Sequence, residues 1–373
     1  MSRSAGSERS GYGSFIAPCL PLCLCGMKRR GLAVGKLPAA LLRRLLARVN
    51  RARRDRQLLV GPDIGLDAAA VTLGSACLVL KSDPITFVSE DIGTYALTIN
   101  ANDLATMGAT PRWFLATVLL PAGATATQVS RLFSQLGASC RRLRVTLVGG
   151  HTEVTNAVTR PVVAGCLLGE CPKGRLLTTA GAKIGDAIIL TKGIPIEAVS
   201  VLARERTARI RRRYSTSFLN RCRRYLHDPG LSVVRDAELA LAVGGVHAMH
   251  DPTEGGLSTA LYELAEAAKV GVRVDERAVR VLPEGARLCA HFGIDPWGAI
   301  ASGALLVCAS SARAAAIVKR LTASGIEASR IGTVMPPRYG VRLVRDGRSR
   351  PVPRFRVDEI ARLLESGHNA KQP

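Results

Sequence analysis

Residues 100–111 read NANDLATMGATP. Two Asn, an Asp, a Met-Gly pair and a Pro stand in a stretch that is otherwise small and apolar. A helix over about 90–108 is expected to contain it, although Asn, Asp and Gly are odd residues for a segment that otherwise looks buried. On its own the segment reads equally well as a capped core helix with an incidental Asn-Asp pair. The segments around it decide the matter.

Working outward, LLVGPDIGLDAAAVTLGSACLVLKSDPITF (58–87) holds two apolar runs separated by Gly-Ser, a β-hairpin with a Gly-rich entry loop. KLPAALLRRLLARVNRARRDR (36–56) is an amphipathic helix. After the opening segment, PRWFLATVLLP is a strand, 125–143 a helix, VTLVGGHTEV a strand ending in a Gly-Gly turn, and RPVVAGCLLGEC a further strand. The rhythm changes near 172–184. Beyond it come a helix (IEAVSVLARERTARI), a basic irregular connection (RRRYSTSFLNRCRRYLHDPGLS) and a helix (VVRDAELALAVG). A strand, loop and helix follow in VHAMHDPTEGGLSTALYELAEAAKVG. Then come a strand (ALLVCAS), a helix (ARAAAIVKRLTASG), a strand (ASRIGTVM) and a hairpin turning on Asp-Gly (GVRLVRDGRSRPVP). The pattern is α/β or α+β in two halves. The expected organisation is an extension (1–34), an N-terminal domain (35–172), a C-terminal domain (180–345) and a tail (346–373).

Composition narrows the function classes. The chain of 373 residues is 47% hydrophobic but only 4% aromatic, so its core is built from Ala, Val, Leu and Ile, as in helices packed on sheets. The formal net charge is +23. The Arg residues are scattered, without RGG tracts or finger spacing, so nucleic acid is set aside as a partner. A positive field still favours anionic substrates such as nucleotides. Ten Cys without zinc-ligand spacing suit a reducing cytoplasm. No apolar run reaches the ~20 residues of a membrane span. Residues 1–26, with the CLPLCLC cluster, read as a disordered extension or as sequence upstream of a start at Met27.

Acidic and amide residues recur at loop and strand ends: Asp67, Asp83, Asn102, Asp103 and Asp251. Beside them lie Gly65, Gly149, Gly150, Gly255 and Gly256. Carboxylates without a Cys/His set suit a hard cation such as Mg²⁺ shared with phosphate. Gly turns let backbone N–H groups approach phosphate oxygens, and DPTEGGL opens a helix whose N-terminus favours an anion. There is no Walker A, GxGxxG or GxSxG signature.

GLDAAAV, KSDPITF, NANDLATMGATPRWF, LVGGHTEVT, AGAKIGDAIILTKG, HDPTEGGLSTALYELAE and IDPWGAIASGALL, in this order, resemble the marker segments of the AIR synthase (PurM-like) superfamily, in its HypE-like branch. The resemblance spans about 35–345. It implies a two-domain PurM-like fold, with an N-terminal sheet domain that pairs with a second subunit into a dimeric barrel, and a C-terminal α/β sandwich. It implies ATP and Mg²⁺, phosphoryl transfer to a small substrate, and a homodimer without membrane attachment. Carried over residue by residue, Asp67, Asp83 and Asp103 hold the metal, and Asn102, Asp103 and Asp251 take part in catalysis. Lys36, Gly65, Gly149, Gly150, His151, Thr152, Gly255 and Gly256, with Asp67 and Asp83, contact the nucleotide.

Three departures stand out. Leu66 occupies a position where many relatives have a second acid. His151 follows the Gly-Gly pair where many have an acid, with Glu153 nearby. The chain ends LLESGHNAKQP, and its last Cys is Cys308, so a C-terminal thiol carrier is absent. These keep open a non-catalytic nucleotide-binding maturation factor on the same fold, and enzymes resembling selenophosphate synthetase or thiamine-monophosphate kinase.

Overall fold

The computed structural model describes residues 36–49 and 55–366. The N-terminal extension, its Cys cluster and the last seven residues lie outside the described residues, as does the stretch 50–54 of the first expected helix.

The first half comprises α1 (Ala39–Val49), β1 (Leu58–Val60), β2 (Ala69–Leu73), β3 (Ala76–Ile85), α2 (Ile92–Thr106), β4 (Thr110–Pro121), α3 (Ala126–Leu143), β5 (Thr146–Thr155) and β6 (Val162–Pro172). Its six strands run in the order β1-β2-β3-β6-β4-β5. The pairings are antiparallel except for β4 with β5.

The second half comprises β7 (Ala187–Thr191), α4 (Ile196–Glu205), α5 (Thr207–Arg211), α6 (Thr216–Arg224), α7 (Val234–Val243), β8 (Val246–His250), α8 (Gly256–Ala268), β9 (Gly271–Asp275), α9 (Pro283–Phe292), β10 (Leu306–Ala309), α10 (Ser311–Ala323), β11 (Ala328–Met335), β12 (Val341–Arg345), β13 (Arg348–Pro351) and α11 (Glu359–Ser366). Its seven strands run β13-β12-β9-β11-β7-β10-β8.

An interior strand of this second sheet, β7 between β11 and β10, reads AIILT and is buried throughout. Ala187 and Ile189 pack toward α7 and α10, while Ile188 and Leu190 pack toward α8. An unbroken apolar run is what a strand covered on both faces requires. The β12–β13 hairpin turns on Asp346 and Gly347 at φ 51° and 75°, the left-handed pair that a two-residue hairpin demands.

All fifteen residues of α2 are buried. It lies on the first sheet and is fixed to the second half along its length. Asp91, preceding its first turn, pairs with Arg204 at 2.8 Å, and the Tyr95 hydroxyl lies 2.6 Å from that of Ser200. One hydrophobic core runs through both halves, joining Leu97 and Leu104 of α2 to Val199 and Leu202 of α4.

Two expectations need correction. The Gly-Gly pair at 149–150 lies within an unbroken strand, not at a turn. Gly150 has φ 144°, and a Cβ there would come within 2.0 Å of the Ala116 carbonyl oxygen on β4. The connection after α4 is not irregular: its Arg residues flank the buried Ile210, Phe218, Leu219 and Cys222, which make α5 and α6. Within the tail, α11 buries Ile360, Ala361 and Leu363.

Candidate functional site

Lys81 and Asp83 stand two apart on β3 and so share a face. Lys81 Nζ is 3.2 Å from Asp83 Oδ2 and 3.2 Å from Asp103 Oδ2, which α2 supplies. Asn100 fixes this register. Its side-chain oxygen accepts from the Asp83 N–H at 3.0 Å, and its amide donates to the Ala96 carbonyl at 2.8 Å. From the loop before β2, Asp67 Oδ1 lies 2.8 Å from His250 Nδ1 at the end of β8. The other ring nitrogen is 3.0 Å from Glu263 Oε2 on α8. Lys36 closes the rim: its backbone N–H donates to Glu254 at 3.1 Å, and its ammonium donates to Thr253 and Glu263 at 3.2 and 3.4 Å.

Asp251 is 1% exposed, and neither of its carboxylate oxygens has a hydrogen-bond partner among the described residues. A buried carboxylate without donors carries a large desolvation cost and calls for a cation. Asp67, His250 and Asp251 each bring a ligand atom within 4.8 Å of the others. Burial and then Asp67 raise the Asp251 carboxyl to about 7, against the opposing pull of His250, Lys81 and Lys36. Burial likewise raises Asp103 well above the usual carboxylate range, with Asp251, Asp83 and Asp67 adding to it. Burial works against the charged forms of Lys81 and His250, yet the surrounding carboxylates raise both. Glu263 is the exception, since hydrogen bonds from His250 and Lys36 overcome burial and hold it down at about 2. The cluster has more carboxylates than cations, and most of its groups hold their protons tightly. An excess of buried carboxylates of this kind suits a cation.

The structure brings Asp67, Asp83, Asp103, Asp251 and Lys36 together. Gly65 belongs with them by packing, because a Cβ there would meet the Glu263 carbonyl of α8 at 3.0 Å. Asn102 is directed elsewhere. Its amide donates to the Leu231 carbonyl at 2.8 Å and its oxygen accepts from the Val233 N–H at 2.9 Å, so it clamps α2 to the second half. The Gly255 N–H is taken by Asp358 at 2.7 Å and that of Gly256 by the Thr253 carbonyl at 2.9 Å, so the chain itself fills the anion position at the start of α8.

Gly149, Gly150, His151 and Thr152 are exposed on the edge strand β5. Register places Asp83 opposite Gly165, Gly165 opposite Ala116, and Ala116 opposite Gly150. Three strand spacings separate Gly150 from Asp83, about 14 Å. Within one chain these residues do not join the carboxylates, and His151 has Glu153 as its neighbour at 3.3 Å. Leu66 packs against the hydrophobic core.

Sequence reasoning missed Lys81, His250, Glu263 and two deeper acids. Glu197, at the start of α4, is 5% exposed and is raised to about 8 by burial and then by Asp358, Glu254 and Asp251, with Ser302 opposing. Asp358, just before α11, is raised to about 6 mainly by burial. Lys81 could have been found from its period-2 spacing to Asp83. Glu197 and Asp358 carry no local signal.

Two family models match the chain: "AIR synthase related protein, N-terminal domain" over residues 65–171 and "AIR synthase related protein, C-terminal domain" over 183–344. A carbamoyl dehydratase HypE of Cupriavidus necator is 30% identical over 284 residues, covering 73% of this chain and 77% of that protein. The Rhizobium leguminosarum bv. viciae carbamoyl dehydratase HypE is 29% identical over 282 residues, with 73% and 77% covered. A crystal structure of the hydrogenase maturation protein HypE in complex with ATP superimposes with a TM-score of 0.65 at 25% identity, covering 85% of this chain and 91% of that one.

Proposed function

The chain belongs to the AIR synthase related family, and we propose that it is an ATP- and Mg²⁺-dependent enzyme that transfers a phosphoryl group to a small acceptor. The observation that carries this reading is Asp251, a fully buried carboxylate with both oxygens free of hydrogen bonds, beside Asp67 and within the field of Asp103 and Lys81. The relative solved with ATP supports the nucleotide.

Asp67 and Asp251 would hold the metal, with Asp83 of β3 and Asp103 of α2 as further candidate ligands. When bound, Mg²⁺ neutralises phosphate charge and polarises the transferred group. His250 is a charged hydrogen-bond donor, not a ligand, since both ring nitrogens are engaged by carboxylates. It orients Asp67. Lys81 stays protonated between Asp83 and Asp103, placed to meet a phosphate oxygen that enters the cluster. Asn100 and Asn102 hold α2 rigid, so the donors are preorganised.

The edge strand β5 supports a homodimer. It leaves Leu147, Val148 and Val154 between 41% and 59% exposed along an unpaired edge, a surface that a second copy's sheet would cover. This pairing would bring the Gly149–Thr152 strand into a shared site.

Phosphate release tests the function. Wild-type protein with ATP and Mg²⁺ releases phosphate, EDTA abolishes release, and Asp103→Ala loses it. Full activity in that variant would refute the site.

A second reading rests on Leu66 and on the internal ion pairs. The chain neutralises part of its own carboxylate set, and Leu66 in the core supplies no further ligand. A nucleotide-binding maturation factor would bind ATP without turnover.

A further inference from the structure

Residues 206–225, RTARIRRRYSTSFLNRCRRY, contain eight Arg and no acid. In sequence this stretch reads as a basic connection between helices. The fold gathers them. Ile210, Phe218, Leu219 and Cys222 are buried, which turns the charged side chains of α5 and α6 outward. Arg223 pairs with Glu90 at 3.2 Å, Arg221 with Glu284 at 3.0 Å, and Arg206 donates to carbonyls of α11. Arg209, Arg211, Arg212 and Arg213 are exposed and make no ion pair among the described residues. Arg287 of α9 joins them, its guanidinium 5.1 Å from the Tyr214 ring and 4.6 Å from Phe218. Arg209 lies 4.8 Å over Phe292.

We propose that this face binds the phosphate backbone of a double-stranded nucleic acid, without reading its sequence. Two features favour that partner over an acidic protein surface or an unpaired strand. Protein interfaces take their energy from a desolvated apolar or aromatic centre. This face has none, because its apolar residues point inward. Unpaired strands are held by bases stacked on aromatic rings. Here Arg209 and Arg287 already cover ring faces, leaving charge as the recognition chemistry. Charge alone suffices for a duplex backbone, where released counterions drive association. Five clustered guanidinia on a chain of net charge +23 supply it.

The test is fluorescence anisotropy of a short mixed-sequence DNA duplex and the matching RNA duplex, titrated with the full chain across a salt series. The triple variant Arg211→Gln, Arg212→Gln, Arg213→Gln is run beside it. All three side chains are exposed, and an unchanged melting temperature verifies folding. The expected result is binding whose log K falls with log salt at a slope of about −4, from −0.9 per phosphate contacted. The triple variant then loses at least tenfold in affinity and roughly 2 to 3 from the slope. Failure of wild-type protein to bind either duplex at low salt would overturn the proposal. So would an unchanged slope in the triple variant. A poly-L-glutamate probe that binds as tightly, with the same loss in the variant, would replace it with an acidic protein partner. None of these outcomes depends on ATP use, so the proposed function stands or falls separately.

Discussion

The buried carboxylate cluster and the edge strand β5 both carry residues of the expected nucleotide site, yet they are built in opposite ways. Around α2, Asn100, Asn102, Lys81 and His250 tie neighbouring elements together, and Asp251 is left with neither carboxylate oxygen hydrogen-bonded among the described residues. Along β5, Gly149–Thr152 are open to solvent and about 14 Å away by strand register. One chain gathers the buried carboxylates by itself, whereas the Gly149–Thr152 strand stays apart from them on the sheet edge.

The comparison breaks most visibly at Asp103. Asp103→Ala should lower ATP turnover by about 10²- to 10³-fold, measured as phosphate release, with β5 unaffected. Val148→Glu is the converse. Placing a charge on the exposed edge should turn dimers into monomers by analytical ultracentrifugation and weaken ATP use at low protein concentration, while Asp103 and Lys81 keep their pairing. A dimer that survives would detach β5 from the interface.

Asn102→Ala separates scaffold from chemistry inside α2. It strands the Leu231 carbonyl and the Val233 N–H in the core and should cost about 2–3 kcal/mol in urea denaturation, with ATP affinity within about twofold of wild type. A large loss of affinity without a loss of stability would return Asn102 to the catalytic set.

The smallest effect is a pH slope. A carboxyl whose pKa is raised on folding binds its proton more tightly in the folded chain. Its stabilising contribution is present below the ordinary Glu value of about 4.3 and is lost as the pH rises through the folded value. For Glu197 that folded value is about 8. Metal-free protein should therefore lose stability between about pH 5 and pH 8, and Glu197→Gln should flatten the slope by about 1 kcal/mol per pH unit. Identical slopes would mean that Glu197 does not titrate in this range.

Much of this was legible because it is local. The Asp-Gly hairpin and the small-residue helix around Asn102 and Asp103 follow from period and turn chemistry. The carboxylates Asp67, Asp83, Asp103 and Asp251 could be named because each sits in a short distinctive segment. What the sequence concealed depends on distance along the chain. Asn102 looks the same to a sequence reader whether it faces a metal or the Leu231 backbone. Asp358 reaches the Gly255 N–H from 103 residues away. Leu66 fills core where an acid could have stood, and nothing in its neighbours announces that. The Gly-Gly pair of β5 misled because glycine serves a turn and a tight strand contact equally well.

The most direct test of the central claim is calorimetric titration of ATP into the full chain, with Mg²⁺ and with EDTA, against wild type and Asp251→Asn. The account predicts saturable binding that requires Mg²⁺ in the wild type and is lost or weakened at least tenfold in the variant. Binding of equal strength with EDTA, or in Asp251→Asn, would contradict it, because the buried carboxylate would then have no cation to hold.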